Sequence, residues 1–294
     1  MVDDRTVQRL EDRVPTAWRA TIDELSRARV VLVIGATDAG KTTFTAWIAN
    51  EWFARGLDVA IVDADVGQSE IGPPATVGLG AVRRTLTRSG DAETVAFVFV
   101  GVTSPGKRPW QVADATGRLV AAARGRFERV IVDTSGFIAG GVAAAVKQRK
   151  IAVTDPDVVV AIQSADECEH ILRGFTTRER PRLVRLPAVR GTRARSVADR
   201  RRHREAALAR YFSGAREVAL DARRVALRSV TGDSVDIATL APGMLAGLHG
   251  PSGETLALGV IERAEPAGQT VTVTTHARAA DVASVTIGET TRTG

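Results

Sequence analysis

The most informative stretch of this chain is Val-Val-Leu-Val-Ile-Gly-Ala-Thr-Asp-Ala-Gly-Lys-Thr-Thr-Phe, residues 30–44. Its aliphatic, β-branched beginning is typical of a buried parallel strand. The following eight residues, 35–42, match the phosphate-binding pattern Gly-x-x-x-x-Gly-Lys-Thr without a gap. Apolar residues at helical spacing come next. A strand, a glycine-containing turn and a helix in this order predict a P-loop.

The residue types of this loop suit a nucleoside triphosphate. Gly35 and Gly40 permit a tight backbone turn that directs successive N–H groups at a phosphate, and the helix that follows adds its positive end. Lys41 would reach the β- and γ-phosphates, and the Thr42 hydroxyl would ligate Mg²⁺. The candidate nucleotide-binding residues are Gly35, Thr37, Asp38, Ala39, Gly40, Lys41, Thr42 and Thr43. A chance match in an alanine- and glycine-rich chain is the alternative, which the flanking strand and helix disfavour.

The composition is that of an ordinary globular protein. The 294 residues are 44% hydrophobic and 25% charged. The longest apolar runs are about eight residues, too short to span a bilayer, and the acidic N-terminus lacks the apolar region of a signal peptide. The single Cys168 excludes an internal disulfide, and the scattered His residues give no metal cluster. We therefore expect a cytoplasmic protein without a membrane partner.

Positive charge is concentrated in one region. Residues 173–210 contain thirteen Arg against three acidic residues, a local excess of ten, whereas the whole chain has a formal charge of +6. Such a block suggests a polyanionic partner. The alternative is codon usage, since only four of the forty basic residues are Lys. Codon usage explains the preference for Arg but not its clustering.

Strand and helix signals alternate over the first two thirds of the chain. Apolar strand patterns occur at 30–34, 59–62, 94–100, 129–133, 158–162 and 183–186, and helical patterns at 1–28, after the P-loop and at 119–123. This alternation predicts an α/β P-loop NTPase fold, a mostly parallel sheet with helices on both faces. Ligands bind such sheets at the carboxyl ends of the strands, where Asp63, Thr103 and Asp133 follow.

The pattern changes beyond residue 214. Short apolar segments at 218–220, 225–230, 255–261 and 270–275 are separated by turn residues, which predicts a small all-β domain. We expect a P-loop domain at 1–214 and a β domain at 215–294. With only 4% aromatic residues, the β domain has no obvious platform for stacking bases, and the sequence does not indicate its role.

Three acidic residues are candidates for phosphoryl-transfer chemistry. Asp63 and Asp65 stand two residues apart at the end of the second strand, and Asp133 ends another apolar strand. Phosphoryl transfer needs one carboxylate to help hold Mg²⁺ and another to orient or deprotonate the attacking group. The alternative for Asp63 is that it caps a loop. The sequence leaves open which acid has which role.

Four motifs together resemble one family. They are Gly-x-Thr-Asp-x-Gly-Lys-Thr at 35–42, Asp-Val-Gly-Gln at 65–68, Gly-x-Thr-Ser-Pro at 101–105 and Asp-Thr-x-Gly at 133–136. In this order they are similar to the polynucleotide 5′-hydroxyl kinases, which include the RNA kinase subunit of the pre-mRNA cleavage machinery, ribosomal-RNA-processing kinases and archaeal RNA kinases. The stretch 63–80 looks particularly like the archaeal type. The resemblance is firm over about 31–214 and loose over the β domain.

The resemblance implies a mobile lid at about residues 190–212. Its arginines would be Arg200, which stabilises the transition state, with Arg195 and Arg204 in support. Arg200 and Arg204 are four apart, on one face of a helix, and a planar guanidinium suits developing phosphate charge. A solvated basic helix face is the alternative. Arg201 and Arg202 are expected to face solvent or a nucleic-acid backbone.

The other family roles also carry over by position. Asp65 would be the general base for the 5′-hydroxyl group, and Asp63, Asp65, Asp133 and Thr42 are the candidate metal contacts. Gln68 and Thr103 would position the terminal nucleotide of the substrate or its phosphate. Residues 134–137, with Thr134, Gly136 and Phe137, match a clasp around the P-loop lysine, although many members have Trp at the position of Phe137.

These residues favour one function and leave two alternatives. The favoured function is an ATP- and Mg²⁺-dependent kinase that transfers the γ-phosphoryl group to a 5′-hydroxyl end of RNA or DNA. The alternatives are a P-loop ATPase or GTPase switch and a nucleotide-binding scaffold without catalysis. Phosphate release without nucleic acid would favour the switch, and ATP binding without transfer would favour the scaffold. The sequence gives no oligomeric state.

Overall fold

The strand predicted from residues 30–34 lies inside a seven-stranded sheet in the computed structural model, which describes residues 10–189 and 196–292. The strands are β1 (Val30–Gly35), β2 (Val59–Ala64), β3 (Thr76–Ala81), β4 (Glu93–Phe99), β5 (Arg129–Thr134), β6 (Val158–Gln163) and β7 (Arg182–Pro187). Their spatial order is β4-β3-β2-β5-β1-β6-β7. Strands β2, β5, β1, β6 and β7 are parallel to one another, which confirms the predicted α/β class.

The sequence does not predict β3, which runs antiparallel to both β2 and β4. Two glycines in its six residues weaken the strand signal. The packing requires them, because a Cβ at Gly78 would collide with the carbonyl oxygen of Ile71, and one at Gly80 would lie 3.1 Å from the Ile71 side chain. Since β3 reverses direction, β4 again points the same way as β2. The loop after β4 therefore reaches the edge of the sheet that carries the P-loop.

Helices cover both faces of this sheet, as predicted. They are α1 (Thr16–Arg19), α2 (Ile22–Leu25), α3 (Lys41–Ala54), α4 (Pro109–Arg124), α5 (Gly141–Thr154), α6 (Glu169–Leu172) and α7 (Val197–Tyr211). On one face Leu32 packs with Val120 of α4, and on the other Val31 and Val33 pack with Trp47 of α3. Helix α4 begins ten residues before the predicted segment, and α5 is not predicted. In the described part of the chain, no helix has both the length and the apolar character that a membrane crossing needs.

The N-terminal segment differs from the predicted helix over residues 1–28. Its described part forms two helices of four residues each, α1 and α2. Between them the Thr21 hydroxyl donates to the carbonyl oxygen of Trp18, at 2.7 Å, and so competes with continued helical hydrogen bonding. Trp18 itself is fully buried, and its indole N–H donates to the carbonyl oxygen of Pro187. The segment is therefore held to the sheet by a core tryptophan.

The second sheet confirms the predicted all-β region. Its strands are β8 (Arg216–Asp221), β9 (Ala226–Ser229), β10 (Met244–His249), β11 (Thr255–Glu265), β12 (Thr270–Thr275) and β13 (Ser284–Thr291). Their order is β8-β12-β11-β10-β13-β9. The sequence misses β10 and β13. The boundary between 214 and 215 remains a prediction, and β8 begins at Arg216.

Helix α7 is packed against the second sheet. Leu208 and Phe212 share one apolar cluster with Leu245, Leu258 and Phe99, so the cluster contains residues from both sheets. The hydroxyl oxygen of Tyr211 accepts a hydrogen bond from the backbone N–H of Leu258, at 2.9 Å. The predicted lid helix is thus fixed at its C-terminal end.

Candidate active site

The P-loop backbone forms a tight turn between β1 and α3. Gly40 (φ 102°) and Asp38 (φ 60°) are in the left-handed region. A Cβ at Gly40 would lie 3.1 Å from the side chain of Val189 and 3.2 Å from that of Trp18, so the position accepts only glycine. The predicted nucleotide-binding residues lie together in this turn and the first turn of α3: Gly35, Thr37, Asp38, Ala39, Gly40, Lys41, Thr42 and Thr43. A glycine cradle followed by a helix N-terminus fits a polyphosphate.

Lys41 lies inside the loop. Its Nζ donates to the carbonyl oxygen of Ala36, at 2.6 Å, and the residue is buried. Burial lowers the pKa of Lys41, and the negative charges of Asp133 and Asp65 oppose that effect. Lys41 therefore lies close enough to Asp133 and Asp65 to interact with both charges, which fits the predicted phosphate site.

Thr42 and Asp133 form a direct pair. The Thr42 hydroxyl donates to Asp133 Oδ2 at 2.9 Å. The other oxygen, Oδ1, is buried and accepts no hydrogen bond from the described residues. Burial raises the pKa of Asp133 to about 6, although Lys41 and the Thr42 hydrogen bond oppose the rise. A hydroxyl beside a carboxylate with a free oxygen suits Mg²⁺, which prefers hard oxygen ligands.

Side chains alone do not make a closed metal site here. Across residues 10–189 and 196–292, no three His, Cys, Asp or Glu side chains form a group that could hold an ion. Mg²⁺ at phosphate-transfer sites is usually held by one or two side chains together with substrate phosphates and water. The pair of Thr42 and Asp133 fits that type of site.

The carboxylate of Asp63 holds the loop that follows β2. It accepts hydrogen bonds from the backbone N–H groups of Asp65, Glu70 and Ile71, at 3.0, 2.6 and 3.0 Å. Burial and the neighbouring carboxylates raise the pKa of Asp63 to about 8, and the hydrogen bonds from Asp65 and Ile71 oppose that rise. These contacts match the loop-capping alternative. A metal contact for Asp63 remains a prediction.

Asp65 is partly exposed at the same edge of the sheet. Its Oδ1 accepts hydrogen bonds from the backbone N–H groups of Gly67 and Gln68, at 3.0 and 3.1 Å. A Cβ at Gly67 would lie 2.8 Å from the carbonyl oxygen of Thr103, so the loops after β2 and β4 pack closely. The structure therefore brings the loop that carries Asp65 and Gln68 against the loop that carries Thr103.

The predicted clasp, residues 134–137, contacts the P-loop directly. A Cβ at Gly136 would collide with the Thr37 side chain and would lie 2.5 Å from Thr37 Cα and N. The hydroxyl of Thr134 donates to the carbonyl oxygen of Val33, at 2.7 Å. Phe137 faces the loop after β4, since a Cβ at Gly106 would lie 3.4 Å from its ring. The clasp thus joins the P-loop to the Thr103 loop.

Two buried lysines of α5 support this edge of the sheet, and sequence reasoning missed both. Lys147 Nζ donates to Thr134 Oγ1 and to the carbonyl oxygen of Ser135, and Lys150 Nζ donates to the carbonyl oxygen of Ala64. They therefore hold the ends of β5 and β2, which carry the clasp and Asp65. One signal was present in the sequence: the chain has only four lysines beside 36 arginines, and two of the four lie three residues apart in this segment.

Removing Lys150 should change how stability depends on pH. Burial lowers the pKa of Lys150 from 10.5 to about 8. Between these values the unfolded chain binds more protons than the folded protein, so stability rises with pH. From pH 8 to 10 the free energy of unfolding of the wild type should rise by about 2 kcal/mol relative to Lys150→Met. Urea unfolding of both proteins in EDTA measures this difference.

Lys107→Met is the matched control, because Lys107 is exposed and its loss should leave the wild-type pH dependence in place. Lys147 is present in all three proteins, and since the charge of Lys150 lowers the pKa of Lys147, the loss of Lys150 can only enlarge the expected difference. If wild type and Lys150→Met give parallel curves from pH 8 to 10, Lys150 keeps an ordinary pKa in the folded protein.

The lid is only partly described. Arg195 lies outside the described residues. Helix α7 begins with a capping box, in which Ser196 Oγ accepts from the Asp199 N–H and Asp199 Oδ2 accepts from the Ser196 N–H. Arg204 lines a narrow crevice together with Thr103, so the structure brings one predicted lid arginine to the loop after β4. Arg200 lies one turn earlier on α7 and is partly buried.

Part of the arginine block has a structural role. Ion pairs join Arg180 to Asp157, Arg182 to Glu24, Arg185 to Glu169, Arg201 to Glu205 and Arg202 to Asp199. Such solvent-exposed pairs contribute little to stability, because water and salt screen the attraction. They nevertheless reduce the positive charge that is open to a polyanion. The local excess counted from the sequence therefore overstates the charge available for binding.

Comparison with known proteins points to one family. The model of the P-loop of the mRNA cleavage and polyadenylation factor CLP1 matches residues 35–214. A polyribonucleotide 5′-hydroxyl-kinase of Pyrococcus furiosus is 33% identical over 76% of this chain and 61% of its own length. A polyribonucleotide 5′-hydroxyl-kinase of Xenopus tropicalis named Clp1 is 28% identical over 66% of this chain and 46% of its own length. The chain thus spans less than two thirds of either relative.

A solved structure shows the same fold. The wild-type Clp1p–Pcf11p complex contains a chain that superposes with a TM-score of 0.74, over 97% of this chain and 79% of that one. The sequence identity is 10%. At this identity the likeness establishes the fold, and it extends across both sheets.

Proposed function

The chain belongs to the family of the P-loop of the mRNA cleavage and polyadenylation factor CLP1, and from this membership we propose that it is a polynucleotide 5′-hydroxyl kinase. Its substrates would be ATP and a 5′-hydroxyl end of RNA or DNA. The named relatives are kinases of polyribonucleotides, which favours RNA. A cytoplasmic location is part of the proposal and rests on the sequence alone.

One observation supports this activity above the others: a candidate base and a triphosphate site share one edge of the sheet. Strand β5 with Asp133 lies between β1, which leads into the P-loop, and β2, which leads to Asp65. The Asp65 loop packs on the Thr103 loop and leaves the Asp65 carboxylate partly exposed. A hydroxyl group held there would meet a carboxylate on one side and a transferable phosphoryl group on the other, as transfer to an alcohol requires.

The roles of the residues follow from this placement. Asp65 accepts the proton of the 5′-hydroxyl group as its oxygen bonds to the γ-phosphorus and the bond from the γ-phosphorus to the leaving β-phosphate oxygen breaks. Lys41 and the P-loop N–H groups stabilise the negative charge of the phosphates. Arg200 would add a guanidinium to the transferring group, with Arg204 in support. Gln68 and Thr103 would hold the terminal nucleotide.

Thr42 and Asp133 would hold Mg²⁺, and their pairing with a free buried Asp133 oxygen fits that ion. When bound, Mg²⁺ supplies positive charge to the oxygens of the β- and γ-phosphates. The clasp at Gly136 keeps Thr37 in place, so the P-loop N–H groups are oriented before a nucleotide arrives. Asp63, with its hydrogen bonds to the loop after β2, would position Asp65.

Transfer of labelled γ-phosphate from ATP to matched 5′-hydroxyl RNA and DNA oligonucleotides tests the proposal. Label should appear at the 5′ end with wild-type protein and be absent with Lys41→Ala, which removes a group essential to phosphate stabilisation. The two oligonucleotides rank the substrates in one experiment. Phosphate release without transfer would instead indicate a nucleotide-driven switch. ATP binding with neither release nor transfer would indicate a scaffold.

A further inference from the structure

A groove of about 470 Å³ lies beside the candidate active site and has no role in the mechanism above. It runs between the edge strand β4, the loop after β2 and helix α7. The lining residues that matter here are Glu70, Arg88, Phe97, Arg210 and Tyr211. They combine aromatic rings, guanidinium groups and one carboxylate, which is the set of side chains that recognises a nucleotide.

The aromatic part of the groove is held in a fixed position. The rings of Phe97 and Tyr211 meet edge to face with centroids 6.2 Å apart. The Tyr211 hydroxyl oxygen accepts from the Leu258 N–H, and this contact fixes the ring from behind. Rigid aromatic side chains at the wall of a groove offer a surface on which a base can stack.

The carboxylate in the groove has an unused acceptor. Glu70 Oε2 is buried and accepts no hydrogen bond from the described residues. Its position is restricted, because a Cβ at Gly90 would lie 3.0 Å from Oε2. The Glu70 backbone is also fixed, since its N–H donates to Asp63 at 2.6 Å. A buried acceptor without a donor is unfavourable, and once the carboxylate rotates toward the groove the exocyclic amino group of a nucleobase would satisfy it.

The charge of the groove suits a phosphodiester. Arg88 and Arg210 bring two positive charges against the one negative charge of Glu70. Arg88 is already paired with Asp91 at 3.3 Å, so Arg210, which is exposed, is the better partner for a phosphate. A nucleotide can interact with each of these groups: its base can stack on the aromatic rings, its amino group can donate to Glu70, and its phosphate can pair with Arg210.

The location points to the acceptor strand and away from the ATP donor. The P-loop follows β1, Asp65 follows β2, and β4 lies two strands further in the same direction. With strands about 4.8 Å apart, the groove begins about 10 Å from the Asp65 end of β2. A strand whose 5′ end is at Asp65 would therefore reach the groove after its first two nucleotides.

We infer that this groove binds a downstream nucleotide of single-stranded RNA whose 5′ end lies at Asp65. The base stacks on the rings of Phe97 and Tyr211, its amino group donates to Glu70, and its phosphate pairs with Arg210. The inference rests on the proposed function for the identity of the ligand. It predicts that both the length and the base sequence of the acceptor RNA affect its affinity. A P-loop site without the groove would predict neither effect.

Binding of a 3′-labelled 5′-hydroxyl RNA octamer, followed by fluorescence anisotropy, tests the inference without turnover. Phe97→Leu should weaken binding roughly fivefold or more, as expected for loss of one stacked base, without changing the salt dependence. Arg210→Ala should lower the slope of log affinity against log salt by about 0.7, the value for one phosphate contact on a single strand. Arg224→Ala, which removes an exposed arginine outside the groove, is the matched control.

Base preference tests the Glu70 contact. Wild-type protein should bind an oligo-C octamer more tightly than an oligo-U octamer, because only cytosine carries an amino group. Glu70→Gln should bring the two affinities within twofold of each other. In the transfer assay, Phe97→Leu should raise the KM for the octamer but not for a 5′-hydroxyl dinucleotide, which ends before the groove.

The outcomes separate this inference from the proposed function. If the wild type transfers phosphate but both Phe97→Leu and Arg210→Ala bind the octamer as the wild type does, the groove is not an RNA site. If the substitutions weaken octamer binding although the wild type transfers no phosphate, the groove is confirmed as an RNA site and the proposal of kinase activity is wrong. Equal losses for octamer and dinucleotide would mean that the substitutions act through the Asp65 loop, which would also overturn the inference.

Discussion

Asp65→Asn should reduce phosphate transfer by roughly 10²–10⁴-fold, the contribution of a general base, while nucleotide affinity stays within about twofold of the wild type. The separation is expected because asparagine keeps the side-chain oxygen that accepts from the Gly67 and Gln68 N–H groups. The loop would keep its shape and only the proton acceptor would be lost. Steady-state transfer to a 5′-hydroxyl oligonucleotide and titration with a fluorescent ATP analogue measure the two quantities.

Asp114→Asn provides the comparison, since it removes an exposed carboxylate that pairs with Arg149 and should leave both quantities unchanged. Transfer by Asp65→Asn within tenfold of the wild type would exclude Asp65 as the base. Loss of nucleotide affinity along with transfer would mean that Asp65 acts on the bound nucleotide and not on the acceptor.

Gly136→Ala should weaken nucleotide binding by roughly 10- to 100-fold, the equivalent of about 1–3 kcal/mol of overpacking. The new methyl group would lie 2.5 Å from Thr37 Cα and N, and these backbone atoms cannot rotate away as a side chain could. The P-loop would have to move, and its N–H groups would lose their orientation toward phosphate. Calorimetric titration with ATP and Mg²⁺ measures the effect, and a melting curve without nucleotide reports any loss of fold stability.

Gly141→Ala is a closely matched control. It adds the same methyl group five residues later, at the start of α5, where nothing lies within 4 Å of the new Cβ. That variant should bind ATP as the wild type does. Equal affinity of Gly136→Ala and Gly141→Ala would show that the contact between the clasp and Thr37 does not hold the P-loop in its binding conformation.

The parts of the site that the sequence predicts are those whose signal is local. A strand, a turn with Gly40 and a helix are contiguous, so residues 30–44 could be interpreted from spacing alone. The convergence of Asp65, Thr103 and Asp133 was also predictable, because strands of one direction end at one edge of a sheet. The resemblance to polynucleotide kinases added the clasp, and the contact of Gly136 with Thr37 gives a physical reason for its glycine.

The parts that the sequence missed depend on contacts between distant residues. Strand β3 has glycines where Ile71 packs against it, so tertiary packing overrides its weak strand propensity. Lys147 and Lys150 interrupt the apolar pattern of α5, because their polar ends reach backbone carbonyls that no sequence pattern reveals. The loop-holding contacts of Asp63 likewise arise only once residues 65–71 fold back on it.

The apolar cluster shared by α7 and the second sheet has a practical consequence. A fragment that ended at residue 214 would leave Phe99, Leu208 and Phe212 without the side chains that cover them. It would therefore expose an apolar patch to solvent. Such a fragment should be prone to aggregation, so a loss of its activity would not show which residues take part in catalysis. The two halves of the chain cannot be studied as detachable modules, and single substitutions are the appropriate tool for assigning their tasks.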